Sequence, residues 1–453
     1  MTTNRRDVLA LAGITMAALG GCTMTDTDDT DSEPSPEPSG GDAPIDGQLL
    51  SADVDRAAPA VSDDALEALV DGVNTFSLAL LGELADDEET NHFASPYSVS
   101  LALAMAWAGA RGETETAMAD TLAFPHDQQQ LHETFNALSQ SLEEDTPADG
   151  DDEDEDATEF TLRIANAIWG QADYPFGDAF LETLARNYGA GLRTLDFEAA
   201  PEPARAEIND WVAEETEDKI EELLPEGSVH GDTKLVLTNA IYFLANWANQ
   251  FDEDETEDGP FTALDGSEST VPMMHQHLRT RYAAVDGHQV LELPYEGDAT
   301  MVVFLPAAGE FEAFRDSLDV DRLDELLEAT ADASGDLALP RFEFESSFSV
   351  RDALAALGME VAFTNQADFT GMLESDESAP SLMIEDVYHD AYVAVDEEGT
   401  EAAAATGVTM VPTSAPAETF DVTVDRPFLF AIRDDETGSL LFLGQVVDAG
   451  EAQ

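Results

Sequence analysis

Apolar positions along this chain keep a helical period at first and a strand period later. From residue 65 to 84 they fall at helical spacing, with Leu66, Leu69, Val70, Val73, Phe76, Leu80, Leu81 and Leu84 on one side, which predicts an amphipathic helix. Residues 98–110 are nearly all apolar, the mark of a buried helix. Residues 113–122 and 128–142 predict two more helices, 160–169 alternates as a strand, and 177–188 is helical again. The amphipathic run 204–224, with Ile208, Trp211, Val212 and Ile220 on one face, predicts one long helix. Residues 235–243 read as a buried strand, and short β-like runs follow one another from 260 to 305. A mostly helical stretch at 311–329, a strand at 337–344 and a helix at 350–357 stopped by Gly358 come next. Strands at 387–395, 420–424, 428–432 and 440–446 complete the chain. No solenoid-length repeat recurs. Helices lead and strands dominate late, so the class is α+β rather than alternating β–α–β.

One stretch fits neither period. After the strand ending at Val395, Asp396-Glu397-Glu398-Gly399 leads into Thr400-Glu401-Ala402-Ala403-Ala404-Ala405-Thr406-Gly407, a run rich in good helix formers. The residues that follow, Val408 to Pro416, are β-branched, carry two prolines and have no helical period. Taken two by two, Thr400, Ala402, Ala404, Thr406, Val408 and Met410 form an uncharged face. The residues alone leave two readings: a small-residue linker, or a segment able to enter a sheet as a strand, with Glu401 left in solvent.

Composition changes the picture at the surface and at the N-terminus. The 453 residues carry 18 Lys+Arg against 97 Asp+Glu, a net charge of −79, and the only lysines are Lys219 and Lys234. Ten carboxylates lie in 23–56 and eleven in 143–159, which leaves 76 spread over the rest. Such a surface repels itself in dilute salt, and concentrated salt screens it to a Debye length of about 3 Å at 1 M. It reads as a halophile's protein. It also speaks against a nucleic-acid partner, which needs clustered cations.

Residues 1–22 read as an export signal: Arg5-Arg6 precede an apolar run, Val8 to Leu19, too short to span a bilayer. The arginines resemble a twin-arginine signal, and Leu19-Gly20-Gly21-Cys22 resembles a lipobox whose cysteine takes the lipid; a plain cleaved signal is the alternative. Residues 23–60, rich in Asp, Ser, Pro and Gly, read as a disordered tether, and 143–159 as a solvated acidic insertion. The single Cys22 rules out an intrachain disulfide and a cysteine-based zinc cluster.

The chain offers no G-x-S-x-G, H-E-x-x-H, P-loop or G-x-G-x-x-G motif. His275 and His277 read as a surface pair without a third metal ligand. No catalytic residue, cofactor or metal is expected.

Four motifs, in order, carry a family resemblance: Asn91-His92-Phe93-Ala94-Ser95-Pro96-Tyr97-Ser98, Leu237 to Trp247, Glu397 to Thr406, and Val424-Asp425-Arg426-Pro427-Phe428-Leu429-Phe430. They resemble, in turn, the start of helix B, the third strand of sheet A, the reactive-loop hinge and the C-terminal signature of serpins. The chain is similar to a secreted lipoprotein member of haloarchaeal type, with the serpin domain at 61–450 and the hinge and reactive-centre loop at 396–419.

The resemblance implies about eight or nine helices, three β-sheets and an exposed reactive-centre loop. It implies a suicide-substrate inhibitor of extracellular serine proteases, subtilisin-like or elastase-like, working as a monomer, not an enzyme. The alternative is a non-inhibitory serpin acting as a surface binding or chaperone-like protein. It assigns a hinge to Glu398, Gly399, Thr400, Glu401, Ala402, Ala403, Ala404, Ala405 and Thr406. A shutter falls to Ser95, Ser98, Asn239 and His389, and the top of the sheet to Trp247. The family's spacing from Gly399 reaches a reactive bond at Thr413–Ser414, with Met410 and Val411 as alternatives. The implied location is the outer face of the cell membrane, through a lipid on Cys22.

The charge generates the first expectation. Circular dichroism after dialysis from molar to millimolar salt should show unfolding or a large fall in melting temperature; an unchanged melt would refute the halophilic reading.

Overall fold

The computed structural model describes residues 47–58, 60–85, 90–144, 161–216, 218–374, 382–400 and 418–453. The signal, most of the tether, the bulk of the acidic insertion and the loop beyond Thr400 lie outside these residues.

The chain opens with β1 (Gln48–Leu50) and the long helix α1 (Asp63–Ala85), whose apolar side is buried as its spacing predicts. The short strand β2 (His92–Ala94) leads into α2 (Pro96–Trp107), every residue of which is buried. Ser95 caps α2 by accepting from the Ser98 N–H, and Pro96 occupies the first turn, where its missing donor costs nothing. Then come α3 (Gly112–Thr121), α4 (Gln128–Glu144), β3 (Thr161–Gln171), α5 (Asp178–Tyr188), β4 (Leu192–Leu195) and α6 (Pro201–Glu215).

The helix expected to reach 224 stops at Glu215. The Thr216 hydroxyl bonds back to the Val212 carbonyl, and Asp218 takes a left-handed backbone (φ 62°) that turns the chain. Ile220, Leu223 and Leu224 are still buried in one cluster with Ile208 and Val212. An irregular segment thus copies the burial of a helix, which is what the periodicity picked up.

Strands dominate from here: β5 (Leu235–Asn246), β6 (Glu257–Thr262), β7 (Glu268–Val285), β8 (His288–Pro294) and β9 (Ala299–Leu305). The helical stretch at 311–329 is two helices, α7 (Phe311–Asp316) and α8 (Val320–Ala329); Asp319 separates them by capping α8 through the Arg322 N–H. The single strand expected at 337–344 is likewise two, β10 (Ala331–Pro340) and β11 (Phe342–Ser349), and they belong to different sheets. After α9 (Arg351–Leu354), a wider turn ends at Gly358, whose φ of 123° only glycine holds without strain. The chain closes with β12 (Val387–Val395), β13 (Gly399–Thr400), β14 (Glu418–Thr423), β15 (Phe428–Asp434) and β16 (Leu440–Val446).

One sheet has the order β1-β4-β3-β5-β13-β12-β11. The other runs β14-β10-β7-β8-β9-β15-β16-β2, with β6 on β7. The second and third of the three expected sheets are continuous among the described residues, because the 18-residue β7 pairs in turn with β6, β10 and β8. The inner face of the first sheet, α2 and the face of the second around Phe430 and Phe442 share one core cluster. On the outer face, α6 covers β3 and β5 through Ile208, Val212, Trp169 and Ala240.

The tether is shorter than expected. Gln48–Leu50 pairs antiparallel with Leu192–Thr194 of β4. Arg56 donates to Asn136 and Glu143, and the Ala57 N–H to the Arg186 carbonyl. The folded unit therefore takes in residues from 47 onward. The strand that pairs is only three residues, Gln48-Leu49-Leu50, too short for a period to show within an acidic, Pro- and Ser-rich stretch.

Candidate functional site

The seam between β5 and β12 gathers most of the residues singled out above. The two strands run parallel and pair from Leu237↔Val387 to Ile241↔Ala391. Higher up they are held apart by β13, antiparallel to both: Gly399 lies opposite Asn246, and Thr400 opposite Ala245 on one side and Val395 on the other. The slot at the top of the sheet is thus already occupied by two hinge residues, Gly399 and Thr400. The expectation of a fully exposed loop does not hold for these two; Gly399 and Thr400 are buried.

Each contact at this end has a local cause. Asp396 Oδ1 accepts the N–H groups of Glu398 and Gly399, turning the chain back on itself. A Cβ on Gly399 would lie 2.1 Å from the Ala245 carbonyl oxygen, so only glycine fits against β5. Trp247 donates its indole N–H to the Asp396 carbonyl and its backbone N–H to the Glu398 carbonyl, both at 2.9 Å. Its ring stacks on Tyr295 at 4.5 Å, and the Tyr295 hydroxyl meets Thr400 Oγ1 at 2.7 Å. Burial holds the Tyr295 phenol protonated, far above its ordinary range. Glu397 is buried, accepting from Thr256 at 2.6 Å with Arg341 at 3.6 Å. Burial, then the carboxylates of Asp396, Glu253 and Glu397, raise the Glu398 carboxyl. Tyr295 was not singled out in the sequence: it stands alone past a strand end, and only the fold brings it under Thr400.

Lower on the same inner face, Ser95, Ser98, Asn239 and His389 form one network. The Ser95 N–H donates to His389 Nε2 at 3.1 Å, and the Ser95 hydroxyl to the Leu441 carbonyl at 2.7 Å. Because Nε2 accepts, the ring proton sits on Nδ1 and is donated to Asn239 Oδ1. Asn239 Nδ2 donates to Ser98 Oγ at 2.6 Å and to Asn166 Oδ1. Asn166, on β3, returns a bond to the Ser98 carbonyl at 3.1 Å. It is the member that sequence reading missed, one polar residue in an alternating strand with nothing to mark it out. Complete burial pushes His389 down to about 3, so it is neutral. Asn166, Asn239 and His389 lie side by side on three neighbouring strands, and one of those junctions is the seam.

The outer face of the seam is covered too. Lys219, in the segment after α6, has its ammonium 5.7 Å from the ring centroid of Tyr242 on β5 and 6.0 Å from that of Tyr392 on β12. Asp390, buried beside the seam, accepts from Ser347, and burial raises its carboxyl well above the usual range.

Cys22, the hinge residues Glu401 to Thr406 and the reactive-bond candidates Met410, Val411, Thr413 and Ser414 lie outside the described residues. His275 and His277 are exposed on β7. His277 contacts Asp336 at 2.7 Å and Ser334 at 3.3 Å, in the order of a catalytic triad. The His277 and Asp336 side chains are 68% and 77% exposed, so water competes for every contact. No group of three metal-ligating side chains occurs among the described residues.

Comparison with known proteins gives a consistent result. The profile described as Serpin (serine protease inhibitor) matches residues 71–449. An uncharacterized serpin-like protein of Thermococcus kodakarensis is 37% identical over 384 residues, covering 84% of this chain and 85% of its own. The leukocyte elastase inhibitor of Sus scrofa is 38% identical over 399 residues, covering 84% and 99%. The crystal structure of a thermophilic serpin, tengpin, in the native state superposes with a TM-score of 0.75 at 26% identity, over 88% of this chain and all of that one.

The network makes acid stability testable. The unfolded chain takes up a proton on His389 near pH 6.5 and the folded one only near 3. The contribution of His389 is therefore complete above about 6.5 and is lost as pH falls toward 3. The stability gap between wild type and His389→Gln, from denaturant midpoints, should be constant above pH 7 and narrow steadily below it. An equal gap at pH 7.5 and pH 4.5 would contradict a neutral, buried imidazole.

Proposed function

The chain belongs to the serpin family, and from that premise we propose that it is a suicide-substrate inhibitor of extracellular serine proteases of subtilisin-like or elastase-like preference. The observation that carries this reading is the register of β13. It is antiparallel to both neighbours, so each further hinge residue would pass one residue back along β5 and β12 together. Continued downward, Ala403 comes between Tyr242 and Tyr392, and Thr406 between Asn239 and His389. Both neighbours give the same answer because their own pairing sets Asn239 opposite His389.

Side chains would fall on the correct faces. Thr400, Ala402, Ala404 and Thr406 share the inner face with Ala245, Phe243, Ile241 and Asn239. None is charged and none is large, so the strand fits where β5 and β12 now touch. Thr406 would bring a hydroxyl to the point where the His389–Asn239 bond is broken, so the polar network could be satisfied again. Ala403, on the outer face, would displace the Lys219 ammonium from its two rings.

The chemistry begins in the protease. Its serine oxygen attacks the carbonyl of the reactive residue, Thr413 or, alternatively, Met410 or Val411. The peptide bond breaks, the amine leaves with the proton, and an ester links the two proteins. Freed at that end, the hinge would enter the seam and complete the sheet, gaining ladder hydrogen bonds and apolar burial. The ester-linked protease is carried along before water can release it. Small or apolar residues at all the candidate bonds favour an elastase-like or subtilisin-like target.

Anchoring belongs to the same proposal. Arg5-Arg6, the short apolar run and the chain's one cysteine at Leu19-Gly20-Gly21-Cys22 support a lipid-held protein on the outer membrane face. Cys22→Ser should move the protein from the membrane fraction to the medium; equal membrane retention would remove the anchor.

The inhibitory reading is tested with a subtilisin-like protease in high salt, by looking for an SDS-resistant complex and counting inhibitors consumed per protease inactivated. Thr400→Arg should raise that number several-fold or more, because a guanidinium has no partner in the buried slot beside Tyr295. Glu401→Arg, on the other face, should change it little. Cleavage without any complex would favour a non-inhibitory binding protein. Equal effects of the two substitutions would overturn the register.

A further inference from the structure

One buried ionisable group on the moving part of the sheet takes no part in the inhibitory chemistry. Asp390 on β12 is fully buried and lies opposite Ala240 of β5, one step below the point where the direct pairing of the two strands ends. A seam that parts from the top reaches it almost at once. In the register continued from β13, Ala405 would come between Ala240 and Asp390.

Its surroundings suit a carboxylic acid better than a carboxylate. Oδ1 has no hydrogen-bond partner among the described residues, and Oδ2 meets the Ser347 hydroxyl on β11. The same hydroxyl lies 3.1 Å from Glu345 Oε1. A hydroxyl holds one proton, so with Asp390 ionised only one of the two contacts is a hydrogen bond. With a proton on Asp390, its carboxyl donates to Ser347 and Ser347 donates to Glu345, and both contacts are satisfied. Ser347 and Glu345 are exposed, so the proton exchanges with solvent through them.

Each neighbouring element adds titratable groups. β11 brings Glu345, and Glu343, which accepts from Tyr392 at 2.7 Å. On β12 itself, Tyr388 and Tyr392 share this face, their phenols held protonated by burial, and Asp386 acts on Tyr388. β5 brings Tyr242, and the segment after α6 brings Lys219, whose ammonium lies over the Tyr242 and Tyr392 rings. His389 is on the opposite face. Burial raises the Asp390 carboxyl to about 7; the Ser347 bond opposes the rise and the Glu345 charge adds to it. Parting the strands would bring water to this face, which stabilises a carboxylate far more than a neutral acid.

We propose that the proton on Asp390 is a latch on the seam: protonated, the residue holds β5 and β12 together, and ionised, it favours their separation, so that entry of the hinge, on the reading given above, is slow in acid and fast at neutral pH.

Uptake of a synthetic peptide of residues 400–411 by the intact full chain, in molar salt of constant strength, reads seam opening without a protease. Between pH 5 and 7 the wild-type rate should rise by about 100-fold, tenfold per unit for one proton, and level off above 7. Asp390→Asn stays neutral at every pH, so its rate should remain near the wild-type value at pH 5. Glu345→Gln, at an exposed position, should bring the levelling-off to lower pH, an arm that stands if Asp390→Asn misfolds. Denaturant midpoints give a readout independent of the loop. The Asp390 carboxyl titrates near 3.8 unfolded and near 7 folded. The stability of wild type relative to Asp390→Asn should therefore fall from pH 4 to 7 and stay constant above. A flat difference, or parallel rate profiles for these two proteins, would overturn the latch. So would a levelling-off unmoved in Glu345→Gln. A falling difference with no peptide uptake at any pH would keep the latch on the sheet and remove loop insertion instead.

Discussion

β5 and β12 are bonded to each other from Leu237 to Ile241 and no higher; above that, two residues of β13 take the place of the direct pairing. Most of the structure around the seam answers to that half-closed state. Buried backbone groups must be paired, so strands that open at the top need something to fill the gap, and Gly399 and Thr400 do so at the cost of one position where no side chain fits. Buried polar side chains must be paired as well, so Asn239 reaches α2, β3 and β12 at once. The Trp247–Tyr295 stack closes the upper end beneath the turn, and the segment after α6 lies over the outer side. Each of these elements touches both halves of the sheet or the wedge between them.

How much of this was legible in the sequence depended on the range of the interaction involved. Helices such as α1 and α4 declared themselves through spacing, because burial on one side acts over a few turns. The shutter residues were reached only through resemblance: Ser95 and His389 are far apart in the chain, and no local pattern marks either. Asn166 and Tyr295 escaped both routes. Their roles exist only because β3 lies beside β5 and because β8 ends beneath the hinge. Two misreadings share one cause. Residues 216–224 and the pair β10–β11 keep a regular apolar pattern across a change of direction, at Asp218 in one and at Pro340–Arg341 in the other. Burial persisted while the backbone geometry changed, and periodicity reports burial.

The surface and the seam place opposite demands on charge. Over the whole chain carboxylates far outnumber cations, 97 Asp and Glu against 18 Lys and Arg. At the hinge turn three of them, Asp396, Glu397 and Glu398, are consecutive and sit close to Glu253. The protein handles them by different means: Asp396 accepts two backbone N–H groups, Glu397 is buried against Thr256 and Arg341, and Glu398 takes a raised pKa. Cations are used sparingly, and one of the two lysines covers the seam. Its attraction to two rings at close range is far less exposed to screening than a surface ion pair would be.

The shared register of β13 also makes the hinge a ruler. The neighbours on both sides count in the same units, so on insertion the distance from Gly399 to Thr406 would be fixed in residues, not in ångströms. A conservative replacement within that interval leaves the count untouched. On the proposed insertion, a single deletion would shift everything after it by one place, turn the alanine face and the glutamate face over, and bring Gly407 instead of Thr406 to His389. On the reading proposed above, this segment of the chain tolerates changes of spelling far better than changes of length, much as a coding frame does.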